Sequence, residues 1–333
     1  MRVVVGMSGG VDSAVSAYLL KKEGYDVVGL FMKNWDSNIN NDKEGITDGV
    51  CPQELDFRDA KAVCDELCIP LYRVDFIKEY WDDVFKYFLS ELEKGRTPNP
   101  DIMCNKYIKF DLFKKEAKKL GADKIATGHY ARIEGNRLLR GVDNNKDQTY
   151  FLSQVSSEQL KDVLFPVGGL TKPEVRKIAE ENNIPVAKKK DSTGICFIGE
   201  RHYQEFIANY LKGKKGDIID VETGKKVGTH KGLMNYTIGQ RRNVGLSGDE
   251  KRHYVCGKDS KNNILYIAYG DDSKYLLSNE AIIEDMNYIS DKHPVFATAK
   301  FRYRSEDVPV TIEYLENFED FYKLGDKLKK DGV

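Results

Sequence analysis

Several kinds of residue and pattern are scarce in this 333-residue chain, and each scarcity excludes something. No run approaches the ~20 apolar residues that a membrane-spanning helix requires, so a soluble protein without a membrane partner is expected. The opening Met1-Arg2-Val3-Val4-Val5-Gly6 reads directly into a strand, which leaves no room for a signal or transit peptide and predicts a cytoplasmic location. Six cysteines occur, at 51, 64, 68, 104, 196 and 256, without a single Cys-x-x-Cys pair. That argues against a zinc ribbon or an iron–sulfur cluster, and in a cytoplasmic chain against a structural disulfide framework. His202, His230, His253 and His293 are scattered without metal-ligand spacing, so no metal site in the protein is expected. Proline is rare, at 9 residues, and no low-complexity tract is present, which excludes extensive disorder. Charge of one sign is also lacking: 52 Lys and Arg face 53 Asp and Glu.

That balance excludes only a uniformly basic protein, because it conceals a gradient. Residues 1–100 carry 12 basic and 18 acidic side chains, residues 101–300 carry 34 and 27, and residues 301–333 carry 6 and 8. A basic middle is what binding to phosphates requires. The length allows two or three domains. Through about residue 205, apolar runs at Val3–Val5, Val27–Met32, Leu71–Phe76 and Lys124–Thr127 alternate with helix-period segments at about Ser13–Glu23, Leu55–Cys68, Glu79–Glu93 and Lys106–Leu120. This predicts a doubly wound α/β domain with a parallel sheet, its ligands at the carboxyl ends of the strands. From about Gly213 the texture changes to short alternating strands broken by turn signals, as in small β domains. Boundaries are expected near 205 and 273, giving domains of 1–205, 206–273 and 274–333. Cys64 and Cys68, four apart on one helix face, read as core residues.

Three motifs carry chemistry. Gly6-Met7-Ser8-Gly9-Gly10-Val11-Asp12-Ser13 stands between the first strand and the first helix. Its glycines free the backbone to close around an anion, Ser8 and Ser13 offer hydroxyls, and the helix adds its N-terminal amides. It lacks the Gly-Lys-Ser/Thr of a Walker loop and the spacing of a dinucleotide fingerprint. The plainer alternative is a Gly-rich turn with Asp12 as helix cap. Thr97-Pro98-Asn99-Pro100-Asp101-Ile102-Met103-Cys104 puts a cysteine at a helix start with Lys106 and Lys109 following, an environment that favours thiolate; a merely buried cysteine is the competing reading. Asp191-Ser192-Thr193-Gly194-Ile195-Cys196 follows Lys188-Lys189-Lys190, and a thiol in a small-residue loop beside cations is suited to carry a persulfide. There the alternative is a packing residue. Lys114-Lys115 with Lys118-Lys119 reads as a solvated helix face.

The first motif resembles the pyrophosphate loop of the N-type ATP pyrophosphatases, which are adenine nucleotide alpha hydrolase-like. With both cysteine motifs, and with Gly29-Leu30-Phe31-Met32-Lys33-Asn34-Trp35-Asp36, Ala126-Thr127-Gly128-His129-Tyr130, Lys146-Asp147-Gln148-Thr149-Tyr150 and Asn235-Tyr236-Thr237-Ile238-Gly239-Gln240, the chain resembles the tRNA-uridine 2-sulfurtransferase family from residue 3 to about 304. The resemblance implies a catalytic domain followed by two small β domains, the last a β-barrel. That barrel is expected to be short, since the family's Pro-Gly-Gln segment and Cys-Leu-Gly-Gly-Gly strand do not precede Val333.

The resemblance also implies roles. Gly6, Met7, Ser8, Gly9, Gly10, Val11, Asp12 and Ser13, with Met32 and Gly128, would bind ATP, whose phosphates Mg2+ would bridge. The tRNA wobble uridine, position 34, would be flipped out and adenylated at its C2 oxygen. Cys196 would carry the persulfide, Cys104 would act as nucleophile and end in a Cys104–Cys196 disulfide, and Asp101 would be acid/base. Asn99, Pro100 and Asp101 would touch the base. His129, Lys146, Asp147, Gln148, Arg302 and Tyr303 would touch the tRNA. For His129, a core histidine hydrogen-bonded at a strand end is the alternative. A cysteine desulfurase or sulfur-relay protein would donate the sulfur. Two other readings remain: an ATP pyrophosphatase resembling argininosuccinate synthase or an amidotransferase synthetase, and a non-catalytic RNA-binding relative.

Overall fold

The computed structural model describes residues 1–42, 50–191, 203–246 and 252–315. It divides into two compact units, Met1–Lys86 with Asn99–His202 and Asn287–Val310, and Tyr87–Pro98 with Tyr203–Met286 and Thr311–Val333.

The first unit is built on strands β1 (Arg2–Gly6), β2 (Asp26–Lys33), β3 (Leu71–Asp75), β4 (Lys124–Ala126) and β7 (Val163–Leu164). They pair in parallel in the order β3-β2-β1-β4-β7, the doubly wound arrangement read from the sequence. Central β1 and β2 are apolar on both faces because helices cover both; Val3, Val4 and Val5 are fully buried. α1 (Val11–Lys22) and α2 (Pro52–Glu66) follow β1 and β2, and α8 (Lys172–Glu181) packs into the same core through Val175 and Ala179. Chain order reverses between β1 and β4, so the crevice for a ligand opens where these two strands end.

Three expectations need correction. β3 is a sheet edge with exposed positions, Tyr72 among them, rather than a buried strand. The helix over 79–93 begins earlier, as α3 (Ile77–Tyr80), and passes through a π-helical turn at Trp81–Phe85 into α4 (Lys86–Glu93). Cys64 is buried, but α2 ends at Glu66 and Cys68 lies beyond it, exposed and left-handed at φ 49°.

The remaining elements of the first unit are α5 (Pro100–Met103), a π-helical stretch Cys104–Leu112, α6 (Phe113–Lys119), the hairpin β5 (Ala131–Glu134) and β6 (Arg137–Arg140), and α7 (Ser157–Leu160). Lys114 on α6 donates to the carbonyls of Glu158, Gln159 and Lys161, while Lys115 and Lys119 pair with Asp111 and Glu116 on their own face.

In the second unit, α9 (Tyr203–Ala208) precedes a mixed sheet of β8 (Gly216–Asp220), β9 (Lys226–His230), β10 (His253–Asp259) and β11 (Ile264–Tyr269), in the order β10-β11-β8-β9. Its core gathers Ile218, Val255, Leu265 and Ile267 with Tyr236 and Val244. His230 is a structural residue here, its Nε2 at 3.0 Å from the Asn263 carbonyl. Of residues 274–333, those described form one two-stranded sheet, β12 (Phe296–Ala299) with β13 (Val308–Thr311). Among the described residues no helix is long and apolar enough to cross a membrane.

Candidate active site

The chain leaves β1 at Gly6 and continues the ladder for one bond, Met7 N–H to Leu30 O at 3.0 Å. It then turns tightly. Ser8 N–H donates to Ser13 Oγ at 3.2 Å, the Ser13 hydroxyl donates to Gly10 O at 3.0 Å, and the two serine oxygens lie 3.1 Å apart. Gly9 has φ +73°, and a Cβ there would run into the Asp56 carbonyl of α2, so glycine is required twice over. Gly128, just after β4, is equally constrained: a Cβ would come within 2.8 Å of the Asp12 and Ser13 backbone. Both strands at the crevice thus press backbone against backbone around the start of α1. No side chain caps that start, which leaves the first-turn amides and the positive end of the helix for an anion. The side chains of Met7 and Val11 are core, and Met32 is buried at the end of β2; from Met7 and Val11 only the backbone is on offer.

Asp12 is not the cap, which is Gly10. It stands in the first turn, where its carboxylate receives Lys172 Nζ at 2.7 and 2.8 Å and the Tyr130 hydroxyl at 2.8 Å. Lys172 also reaches Asp191 at 2.8 Å, and Asp191 holds Lys146 at 2.5 Å and Arg176 at 2.6 Å. Burial pushes the Asp191 carboxyl up, but the bonds from Lys146 and Lys172 prevail and hold it at about 2. Burial and the neighbouring Asp12 keep the Tyr130 phenol protonated. On the other flank, Lys189 Nζ meets Asp56 Oδ1 at 2.8 Å, Asp59 Oδ2 at 2.6 Å and Gly9 O at 3.0 Å. Lys172 and Arg176 are thus parts of this site that motif reading missed, while Tyr130 and Lys189 stood in quoted strings without their partners Asp12 and Gly9 being foreseen. For Lys172 the available signal was the Thr171-Lys172-Pro173-Glu174 helix start, which marks α8 without naming the partner of Lys172 160 residues away.

The cysteine loop is organised by Asn99, whose Oδ1 accepts from Asp101 N–H at 3.0 Å as it caps α5, with Pro100 in the first turn. Cys104 therefore lies one turn inside the helical segment, not at its start, and is fully buried. It opens the π-helical stretch, a widened geometry common at functional sites. Asp101 and Cys104, three apart, share a face. Lys106 is turned to Gln154 Oε1 at 3.2 Å. Next to Cys104, Asn105 donates to Phe151 O at 2.9 Å while its Oδ1 is buried without a partner. Cys196 lies outside the described residues.

Of the residues expected to meet tRNA, His129 is buried, with Nδ1 2.7 Å from Thr127 Oγ1 and its ring between Phe110 and Phe165. Burial, aided by Lys109, drives its pKa well down, so it is a neutral histidine at a strand end. Asp147 is also buried, accepting from Gly141 N–H at 3.0 Å and the Thr149 hydroxyl at 2.9 Å. Gln148 Oε1 accepts from Tyr130 N–H at 3.1 Å. Arg302 is exposed, and the Tyr303 ring packs 4.6 Å from that of Phe151. The two stretches meet: a polar cleft of about 550 Å3 is lined by Asn144, Asn145 and Asp147 on one side and by Lys300, Arg304 and Glu306 on the other.

Residues 1–200 match the family model described as "tRNA methyl transferase HUP domain", and residues 204–269 the one described as "tRNA methyl transferase PRC-barrel domain". The tRNA-specific 2-thiouridylase of Mycoplasmopsis synoviae (strain 53) is 57% identical over 95% of this chain and 86% of its own. The chain belongs to the tRNA-specific 2-thiouridylase family. Another relative of that name, from Staphylococcus carnosus (strain TM300), is 54% identical over 95% of this chain and 85% of its own. Among solved structures, a 4-thiouridine synthetase–RNA complex with bound ATP covers 62% of this chain and 50% of its own at 16% identity and a TM-score of 0.35, too low to bear on the site.

Proposed function

We propose that this chain catalyses ATP-dependent 2-thiolation of the wobble uridine of tRNA, yielding 2-thiouridine, AMP and pyrophosphate. The observation that carries this is the loop of residues 6–13 at the switch point, with an uncapped helix start and, at Gly9, a left-handed, close-packed position that requires glycine. The loop amides and hydroxyls fit the ATP phosphates, and Mg2+ bound with the nucleotide would neutralise part of their charge. A carbonyl oxygen is a poor leaving group; transfer of AMP to the C2 oxygen makes it a good one. The terminal sulfur of a Cys196 persulfide then bonds to C2 as AMP departs. Cys104 thiolate attacks the Cys196 sulfur, the S–S bond to the substrate sulfur breaks, and its electron pair completes the C=S group. A Cys104–Cys196 disulfide remains, which an external dithiol must reduce. Asp101, one turn before Cys104 on the same face, is placed to move the proton. Asn99 and Pro100 border the base.

The two stretches around the polar cleft, with Lys146, Gln148, Arg302 and Tyr303, supply backbone and stacking contacts to tRNA, and the buried His129 and Asp147 support them from within. In this reading the catalytic domain is 1–205, the β domains are 206–273 and 274–333, the sulfur comes from a desulfurase or relay protein, and the setting is cytoplasmic.

The test incubates the protein with unmodified tRNA, ATP, magnesium and a cysteine desulfurase and examines the nucleosides by mass spectrometry. Sulfur in place of oxygen at C2 is expected; an added methyl group would favour the words of the family model instead. Full activity in Cys196→Ser would overturn the persulfide role. Binding of tRNA without pyrophosphate release would favour a non-catalytic relative.

A further inference from the structure

The Lys188-Lys189-Lys190 run reads in sequence as a cationic flank for Cys196, but the structure divides it. Lys188 and Lys190 are exposed, whereas Lys189 is half-buried and its ammonium grips the Gly9 carbonyl together with Asp56 and Asp59. Two residues on, Asp191 takes Lys172, which holds both carboxylate oxygens of Asp12. One three-residue stretch therefore engages the loop at two points, directly at Gly9 and through Lys172 at Asp12.

The grip at Gly9 sets the polarity of the loop. In a trans peptide the C=O and the following N–H point in opposite directions. Lys189 draws the Gly9 carbonyl toward α2, so the Gly10 N–H is turned the other way, where it lies 3.4 Å from Ser8 Oγ. With glycine on both sides, this peptide is the one in the loop most free to flip. Flipped, it would present a carbonyl to an anion in place of an amide, and attraction would become repulsion.

We propose that Lys189 and Asp191 are positioning residues for ATP, a strap that holds the loop with its amides inward: Lys189 orients the Gly9–Gly10 peptide and Asp191 seats Lys172 against Asp12. Neither contacts the nucleotide. The inference rests on reading residues 6–13 as the ATP phosphate site.

The test measures ATP binding to the full chain by calorimetry in Lys188→Met, Lys189→Met and Lys190→Met, alongside thermal melting. Each removes one charge from the same run, but only one removes the grip. Loss of a charge-assisted bond network predicts that Lys189→Met weakens ATP binding about tenfold or more, with the other two within about twofold of wild type because exposed charges contribute little. Lys189→Arg, which keeps donors for the carbonyl and the carboxylates, recovers most of the loss. In steady-state pyrophosphate release, Lys189→Met raises KM for ATP with kcat little changed. Equal effects from all three lysines, or unchanged binding in Lys189→Met, overturn the proposal. Should Lys189→Met fail to fold, Asp191→Asn decides: weaker ATP binding measured well below that variant's own melting temperature supports the strap, and unchanged binding ends it. A wild-type protein without affinity for ATP would defeat the underlying reading instead.

Discussion

The loop of residues 6–13 and the Cys104 segment both introduce helical structure after a glycine- or proline-bearing turn, yet they are finished in opposite ways. In the loop, the feature proposed to bind ATP is backbone: serines 8 and 13 fold it onto itself, and cations from residues 172 and 189 meet the Asp12 carboxylate and the Gly9 carbonyl. At Cys104, the feature proposed to react is a side chain; the Asn99 cap lies one turn upstream, and the thiol is enclosed by packing. A site made of backbone amides depends on conformation above all. A site made of one thiol depends on that atom.

This contrast is sharpest in glycine and cysteine substitutions. Gly9→Val must adopt a left-handed φ and displace the Asp56 carbonyl, so ATP binding measured by calorimetry is expected to fall by more than about 100-fold, the strain alone costing ~1–2 kcal/mol. Binding within about tenfold of wild type would show that the loop tolerates another backbone. Cys104→Ser is nearly isosteric: it is expected to fold, to bind ATP as wild type does and to form no 2-thiouridine. Residual thiolation there would remove Cys104 from the chemistry. Asn99→Ala, which deletes the cap, is expected to cost about 1 kcal/mol in denaturant unfolding, with ATP binding unchanged.

The smallest effect is in pH. The Asp191 carboxyl is held at about 2, below the ~3.9 of an unfolded aspartate. A depressed carboxylate contributes stability that is complete above about pH 4 and fades as pH falls toward 2. Allowing for solvent screening at a partly exposed site, this is about 1 kcal/mol or less. Asp191→Asn should flatten that part of the acid-unfolding curve; an unaltered curve would mean that the ion pairs around Asp191 contribute nothing net.

Legibility followed distance along the chain. The strands β1, β2 and β4 and the loop between β1 and α1 were readable because their signals are local: valine runs, and glycines and serines within eight residues. The edge position of β3 was not, since an apolar run does not say whether a neighbour lies on both sides. Nor were the π-helical stretches at 81–85 and 104–112, whose residues have ordinary helical spacing. Cys68 was misread because the end of α2 fell two residues before it. The lysine run was read as serving its nearest cysteine, when Lys189 serves a carbonyl 180 residues away.

By itself, then, the sequence determined a parallel α/β sheet with a tight glycine- and serine-bearing turn after its first strand, because hydrophobic periodicity and glycine placement act within a few residues. It also determined which thiols and carboxylates are present for chemistry. Only the tertiary structure decided which cations answer Asp12 and Gly9, that His129 is neutral and enclosed, and that residues 144–147 and 300–307 border one cleft. Charge pairing and burial depend on the three-dimensional distance between side chains, and that distance is set only when the whole sheet and its covering helices have packed.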